Sequence, residues 1–477
     1  MALKDKLKIL WLIINGILLH LIRGPLRKSW SLKESVYIHI LRNTAFSRVD
    51  SLVEFRKSRD SRLANFPKNS KLEKITIPSK YRQQAHEIVN NHLKKTYGNG
   101  DWYGQESLWS SSKPLEAEWL IPNHLTLTPE SNIIFYNFGG GHIFGSFSTY
   151  RAQLETIAQA SDCIVFGANY RHAPDYSAPC QLEDLVSQIL YLTAPIDNDN
   201  SNESGCGFSF DQIVVSGDSA GGNMSASLIH FMRDLNIGKF SGAVLFSPWL
   251  DLTASQFSVV DCDAFDFIPK VFTVTPTKGY KPETGDKGYK FAYYGSTKEI
   301  QTAMLNRGHL FVPLEYINTP IVSPLCDDKF NDLPPILINV GEAETLRLEP
   351  LLYLELINNS YTPEELNNSK IPPVTVHYYQ DMVHVFPVIF PNLKSSQICF
   401  TRTSNFIKQC FEQKSTRLDS IKRDYPINTQ LLSGDNLSLK LIDHKRKNLF
   451  ISDLNQNLSI FDPDYKLNPI FTKGLMK

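Results

Sequence analysis

An α/β fold, with a mostly parallel central sheet and helices on both faces, is the architecture this sequence predicts. Three observations carry it. Short β-rich runs alternate with helical stretches from Asn132 to about Lys408, which is the rhythm of strand–helix–strand units. The runs NIIFY, CIVFGA, QIVVS, GAVLF and PILINV are almost continuously apolar rather than alternating, as strands buried on both faces must be. A glycine-flanked serine, Gly217-Asp218-Ser219-Ala220-Gly221, stands directly between one of those strands and a helix.

Taken in order, a short strand is expected over Glu116–Ile121 and the first core strand over Asn132–Tyr136. A helix over Tyr150–Ala160 leads to a strand at Cys163–Ala168, and a helix over Gln181–Leu192 leads to the strand Gln212–Ser216. The helix after the serine runs from Ala220 to about Leu235, and strands at Gly242–Phe246, Pro335–Val340 and Val374–Tyr379 complete the sheet. Residues 31–105 read as mainly helical, opening on Ser31 and Glu34 in capping-box spacing. The predicted organisation is an N-terminal helix (1–30), a helical cap region (31–105) and a catalytic domain (106–411) with an aromatic-rich insertion (254–315). A C-terminal extension (412–477) of weak strand patterning, with no role assigned, closes the chain.

Lys+Arg and Asp+Glu balance at 49 each, which removes any global electrostatic case for nucleic acid or an acidic partner. Seven scattered cysteines with no CxxC pair give no zinc or disulfide framework. The one compositional anomaly is Ile9–Ile22, an apolar run flanked by Lys4, Lys6, Lys8 and by Arg23, Arg27, Lys28. As a helix it is roughly 21 Å long, short of a hydrocarbon core of about 30 Å. It is read as an uncleaved anchor or interfacial helix on a membrane surface, with the endoplasmic reticulum as the expected location. A soluble helix packed on the domain and a cleaved signal are the alternatives. N-x-S/T sequons, among them Asn202, Asn358, Asn367, Asn436 and Asn457, mildly favour a lumenal side.

The chemistry is carried by G-x-S-x-G. Between a strand and a helix it makes a nucleophile elbow, a turn so tight that the residues two before and two after the serine must lack bulk. The turn lifts Ser219 above the sheet edge and leaves the Ala220 N–H at a helix N-terminus, where an oxyanion would form. Upstream, Gly139-Gly140-Gly141-His142 follows the strand NIIFY. Bare glycine backbone can approach a substrate oxygen, so Gly140, Gly141 and Ala220 are the expected oxyanion donors. A dinucleotide loop is disfavoured, because no acidic residue at the required distance ends a following strand.

This series of motifs resembles the hormone-sensitive lipase family of α/β-hydrolase esterases. GGGHIFGS, YRHAPDYSAPCQLED, GDSAGGN, SPWLDLT and SPLCDDKFNDLPPILINVGEAE fall in that family's order. Residues 1–100 and the C-terminal tail lie outside the resemblance. It implies an α/β-hydrolase fold with a cap formed by the N-terminal segment and an insertion, and it implies acyl transfer through an acyl-serine with no metal or organic cofactor. It places the catalytic acid at Glu344, just past the end of strand PILINV, with Glu342 and Glu349 as nearby competitors. The general base is His384 in QDMVHVFP, since chain order in this fold runs serine, acid, histidine. His377, His142 and His172 are read as structural. One departure stands out: Phe138 replaces the histidine that the family carries before its three glycines. Asp218 and Asn223 are expected to brace the site, Asp251 to fix its own loop, and Glu183 and Asp184 to be either a solvated face or a support for the elbow.

A membrane-proximal enzyme with an aromatic cap points to a lipophilic ester as substrate. Fungal steryl acetyl hydrolases are similar in design, and short- or medium-chain acyl esters fit the same reading. Two rivals stay open: a hydrolase-fold binding protein or receptor without turnover, and an amidase or formamidase on the same scaffold. Oligomeric state is not written in the sequence.

Overall fold

The computed structural model describes residues 3–44, 52–63, 65–98, 114–196, 204–253 and 309–415, with 100, 102, 255, 256, 258, 265–268 and 431–432 between and beyond them. Most of the 254–315 insertion and of the 412–477 extension therefore lies outside the described residues.

Among the described residues, nine strands form one sheet: β1 (Ser70–Thr76), β2 (Glu116–Pro122), β3 (Ile133–Asn137), β4 (Ile164–Ala168), β5 (Ile213–Asp218), β6 (Gly242–Phe246), β7 (Ile336–Gly341), β8 (Val374–Tyr379) and β9 (Leu431–Leu432). Their order is β1-β2-β4-β3-β5-β6-β7-β8-β9. All neighbours from β4 to β9 pair in parallel, and β2 joins β4 antiparallel, as does β1 with β2. The chain reverses direction across the sheet between β3 and β5, and ligands of open α/β sheets bind beside the carboxyl ends of strands at such a switch. Every residue of β3, β4, β5, β6 and β7 is buried. That is why these runs read as continuously apolar: helices cover both faces.

The expected core elements fall within a residue or two of those observed. The helices are α5 (Arg151–Ser161), α6 (Cys180–Thr193) and α7 (Ser219–Asp234). One expectation is corrected. Ser70–Thr76 lies in the stretch read as mainly helical, yet it is the edge strand β1, paired along its whole length with β2. A lysine-rich, half-exposed edge strand carries no apolar stripe for sequence reading to find, and charged edges of this kind discourage pairing with other chains.

The N-terminal region supplies α1 (Leu3–Arg23), α2 (Leu32–Thr44), α3 (Leu52–Leu63) and α4 (Ser79–Tyr97). The start of α2 is capped as its sequence suggests: Ser31 N–H donates to Glu34 Oε2 (2.8 Å), and Ser31 Oγ accepts from Lys33 N–H (3.2 Å). α1 lies along α2, with Leu12 and Gly16 on its buried side. Among the described residues no helix is long and apolar enough to cross a membrane, so the spanning form of the N-terminal expectation does not fit α1. α4 buries Tyr81, Ala85, Val89 and Leu93, an i, i+4, i+8, i+12 stripe, against α6.

Candidate active site

The site is built at the carboxyl ends of β3, β5, β6, β7 and β8. β5 ends at Asp218, and Ser219 opens α7 with φ +52°, a left-handed conformation that a serine adopts only under constraint. The constraint is visible at the flanking glycines. A Cβ on Gly217 would lie 2.5 Å from Gly221 O, and one on Gly221 would lie 2.1 Å from Asn137 O. No other residue fits either position, so the motif's glycines are a steric requirement of the turn. Ser219 is left half-buried, while Asp218 and Ala220 are fully covered.

Asp218 ties the elbow to the glycine loop after β3. Its carboxylate accepts from Tyr136 Oη–H (2.8 Å), Gly139 N–H (2.8 Å) and Tyr150 Oη–H (3.0 Å). Burial pushes its pKa up to about 6, against the pull of those three donors toward the charged form. Downstream, Gly140 O accepts from Ile143 N–H (3.1 Å) and Phe144 N–H (3.2 Å). With that carbonyl held by the turn, Gly140 and Gly141 sit half-exposed beside the elbow at φ +124° and +60°. Ala220 lies in the first turn of α7, where backbone N–H groups have no intrahelical acceptor.

Phe138, the departure from the family pattern, is fully buried and stacked on Tyr170 at 4.5 Å. Tyr170 Oη–H donates to Phe138 O (2.9 Å), so backbone and ring are both fixed without an imidazole. His142 packs flat on Phe311 (3.7 Å), with neither ring nitrogen hydrogen-bonded, and burial holds its pKa well below the usual range. Its place is in the packing under the loop.

On the other side, His384 Nδ1 stands 3.6 Å from Glu344 Oε1, with both residues buried. That is an ion-pair distance slightly longer than a hydrogen bond; such contacts often tighten only when substrate is bound. The second oxygen, Glu344 Oε2, accepts from Gly341 N–H (2.8 Å) and Ser247 Oγ–H (2.7 Å). Ser247 Oγ in turn accepts from Val385 N–H (3.0 Å), so one hydroxyl links the acid to the residue after the histidine.

The competing carboxylates are engaged elsewhere. Glu342 pairs with Arg27 (2.7 Å) and accepts from Asp381 N–H (2.9 Å). Glu349 accepts from Leu250 N–H (2.5 Å) and Asp251 N–H (3.0 Å); burial and then the nearby Asp251 push it well above the usual carboxylate range. Asp251 holds its own loop through Thr253 and Ser255. Asn223 Nδ2–H donates to Val322 O (2.8 Å). Glu183 and Asp184 are neither solvated nor on the elbow: both are buried and bind Arg171, which also donates to Cys180 O and so fixes the YRHAPD loop. His377 is a largely buried strand residue beside Tyr379, its pKa lowered by burial to about 3.

Several positioning groups escaped the sequence reading. Ser247 lies in SPWLDLT, but the motif gives no hint that this hydroxyl spans two loops. Tyr136 and Tyr150 read as ordinary core aromatics. Asp266 lies in no motif, Arg27 reads as one of the basic residues after the apolar run, and Asp381 lies in QDMVHVFP without a hint that its carboxylate reaches the N-terminal region. Among the described residues no cluster of His, Cys, Asp and Glu is arranged to hold a metal ion.

Comparison with known proteins agrees with this fold. A family model described as alpha/beta hydrolase fold matches residues 134–388. An esterase of Acinetobacter venetianus is 27% identical over 218 residues, which is 45% of this chain and 58% of that protein. Carboxylesterase NlhH of Mycobacterium tuberculosis is 24% identical over 263 residues, 54% of this chain and 68% of that protein. The chain spans about three-fifths of the length of a mimivirus putative alpha/beta hydrolase, at 23% identity over half of its own length. Among solved structures, an esterase from the bacterial hormone-sensitive lipase family covers 80% of this chain and 100% of its own, with TM-score 0.55 and 20% identity, a likeness of fold.

Proposed function

Since this chain belongs to the α/β-hydrolase family, we propose that it is a serine carboxylic ester hydrolase acting on lipophilic esters through an acyl-Ser219 intermediate. The observation that carries the reading is Ser219 on a left-handed elbow between β5 and α7, in one site with the Glu344–His384 pair at 3.6 Å. Ser219 Oγ attacks the ester carbonyl carbon as His384 Nε2 takes its proton, and Glu344 holds the imidazole in the tautomer that leaves Nε2 free to accept. Charge developing on the carbonyl oxygen meets the N–H groups of Gly140, Gly141 and Ala220. The imidazolium returns its proton to the departing alcohol. Water then attacks the acyl-enzyme, with His384 again as the base, and the carboxylic acid leaves with Ser219 restored.

The test is labelling by an active-site serine phosphonate. Wild type should label and Ser219→Ala should not, with hydrolysis falling about a million-fold in the variant. A folded wild type that resists labelling would favour a hydrolase-fold binding protein instead.

The lipophilic substrate rests on α1. Leu7, Leu10, Trp11, Ile14, Leu18, Leu21 and Ile22 are all 49–78% exposed. Their spacing of three and four places them on one stripe, opposite the buried Leu12 and Gly16. Exposed Lys6 and Lys8 stand at one end and Arg23 and Lys28 at the other. An apolar stripe with basic ends suits a helix lying in a lipid headgroup layer. In flotation with phosphatidylcholine–phosphatidylserine vesicles, Leu18→Glu with Ile22→Glu should lower bound protein by about ten-fold or more, leaving turnover of a soluble short-chain ester unchanged. Equal flotation of the two proteins would remove this part of the reading.

A further inference from the structure

The N-terminal region lies outside the family match at 134–388, yet its arginines reach the histidine, acid and oxyanion loops of the site, one of them through Asp266. We propose that Arg27, Arg42 and Arg56 are positioning residues for the hydrolysis, clamping the histidine, acid and oxyanion loops from outside the catalytic domain; this rests on the serine-hydrolase reading above.

Arg27, between α1 and α2, makes the largest of the three contacts. Its Nε–H donates to Asp381 Oδ1 (2.9 Å) and its Nη2 pairs with Glu342 Oε2 (2.7 Å). Asp381 is three residues before His384, and Glu342 is two before Glu344. One guanidinium therefore joins the loop of the base to the loop of the acid. The neighbouring backbone adds two further ties: Ser29 N–H donates to Asp381 Oδ2 (3.1 Å), and the buried Trp30 Nε1–H donates to Asp381 O (2.7 Å). The two loops are also joined directly, Asp381 N–H to Glu342 Oε2 at 2.9 Å. Phe265, from the insertion, lies against the other side of the Arg27 guanidinium, 4.8 Å from ring centre to Cζ.

Arg42, on α2, acts through Asp266. Its Nη1–H donates to Asp266 O (2.7 Å). The buried Asp266 carboxylate accepts from Thr345 N–H and Oγ1–H (both 2.7 Å) and from His384 N–H (3.4 Å). The residue after the acid and the histidine itself thus share one carboxylate, whose backbone is held by α2. Arg56, on α3, holds the opposite side. Its Nε–H donates to Ile143 O (2.7 Å) and its Nη2–H to Ala173 O (2.6 Å). Ala173 N–H donates to His142 O (2.9 Å), so the oxyanion turn and the YRHAPD loop beside it meet at this guanidinium.

These loops need outside support because they are strained. Asp381 (φ +58°) and Val385 (φ +44°) flank His384, and His142 (φ +63°) follows the oxyanion glycines. A β-branched residue in the left-handed region is a backbone outlier, and such conformations persist only where surroundings over-determine them. A fixed, always-charged planar fork bridges two carboxylates or two carbonyls with its donors already set in one plane; a lysine ammonium offers three donors from a single point on a flexible stem and holds that geometry less tightly. Misplacement of a reacting group by about 1 Å can cost on the order of a hundred-fold in rate, so a loosened clamp should register in catalysis before it registers in binding.

The experiment compares wild type, Arg27→Ala, Arg27→Lys and Asp381→Asn; asparagine tolerates the left-handed backbone at 381. Expected for Arg27→Ala is a fall of about ten- to a hundred-fold in kcat and in the phosphonate labelling rate, with KM for a soluble ester within about three-fold. Arg27→Lys and Asp381→Asn should be intermediate, and hydrogen exchange should speed up over residues 381–386. Arg27→Ala should cost less when Asp381 is already Asn. A lowered melting temperature with unchanged kcat overturns the proposal and makes the contact a stabilising one only, and so does a rise in KM alone. If Arg27→Ala does not fold, the kcat of Arg27→Lys and Asp381→Asn decides. Failure of wild type to label sinks the hydrolase reading itself, whereas equal labelling of wild type and Arg27→Ala sinks the clamp alone.

Discussion

The two sides of the candidate site are held by different kinds of contact. On the nucleophile's side, most fixing groups come from adjoining strands and from the turns that continue them, with Arg56 reaching the glycine loop from α3. β3 and β5 are paired neighbours, with Asn137 opposite Gly217, and the glycine loop and the elbow grow from their ends. Asp218 gathers Tyr136, Gly139 and Tyr150 within that small region, and the elbow's shape follows from two missing side chains. On the histidine's side, Ser247 reaches Val385 across 138 residues of sequence and Arg27 reaches Asp381 across 354. The nucleophile is placed by its own strand and by the strand paired beside it. The base and its acid are placed by partners that only the completed fold delivers.

This difference ranks the consequences of mutation. After Ser219 itself, the largest effect is expected at Glu344, the contact on which the histidine side turns. Glu344→Ala should lower kcat by about a thousand- to ten-thousand-fold, leaving the residual catalysis that an oxyanion site and binding supply alone. Glu349→Gln keeps an acceptor for Leu250 and Asp251 N–H and should stay within about a few-fold of wild type, because Glu349 faces those amides and not His384. Steady-state kinetics on the two variants checks the assignment among the three carboxylates. A more damaging Glu349→Gln would move the acid there and break the comparison.

The same difference explains what could be read from sequence. Five core strands were legible because each is buried on both faces and so is apolar throughout. The elbow was legible because its steric demand falls on residues two apart from the serine. β1 was missed because an edge strand with four polar or charged residues facing solvent has no pattern distinct from a surface helix. Glu183 and Asp184 stayed undecided because their partner, Arg171, reads as one more cation until the loop folds back on α6. The insertion's aromatics divide in the same way: Phe267 comes within 6.1 Å of the His384 ring and Phe265 lies on Arg27, while Phe257, Phe272, Tyr280, Phe291, Tyr293 and Tyr294 lie outside the described residues. The roles of Arg27, Asp266 and Asp381 could not have been found, since nothing local shows that a cation after the apolar run and a carboxylate in QDMVHVFP meet across 354 residues.

The smaller effect belongs to the nucleophile side, where Asp218 should reveal itself through pH. Burial raises its pKa from the ordinary 3.8 to about 6, so the folded chain holds this proton more tightly than the unfolded chain does. The stability that the group contributes is therefore fully present below about pH 4 and is lost as pH rises through 6, with a span of order 3 kcal/mol. Asp218→Asn removes the titration and keeps an acceptor for Gly139 N–H. Measured by melting at each pH, wild type should gain stability relative to Asp218→Asn between pH 7 and pH 4. At pH 7 the variant should lose about ten-fold or less in kcat, because the glycine loop keeps one tether and Ser219 keeps its elbow. A difference between the two proteins that is flat from pH 4 to pH 7 would mean that Asp218 ionises in the folded chain as it does in water. The three donors would then outweigh its burial, and the nucleophile side would be anchored by a full charge at every working pH.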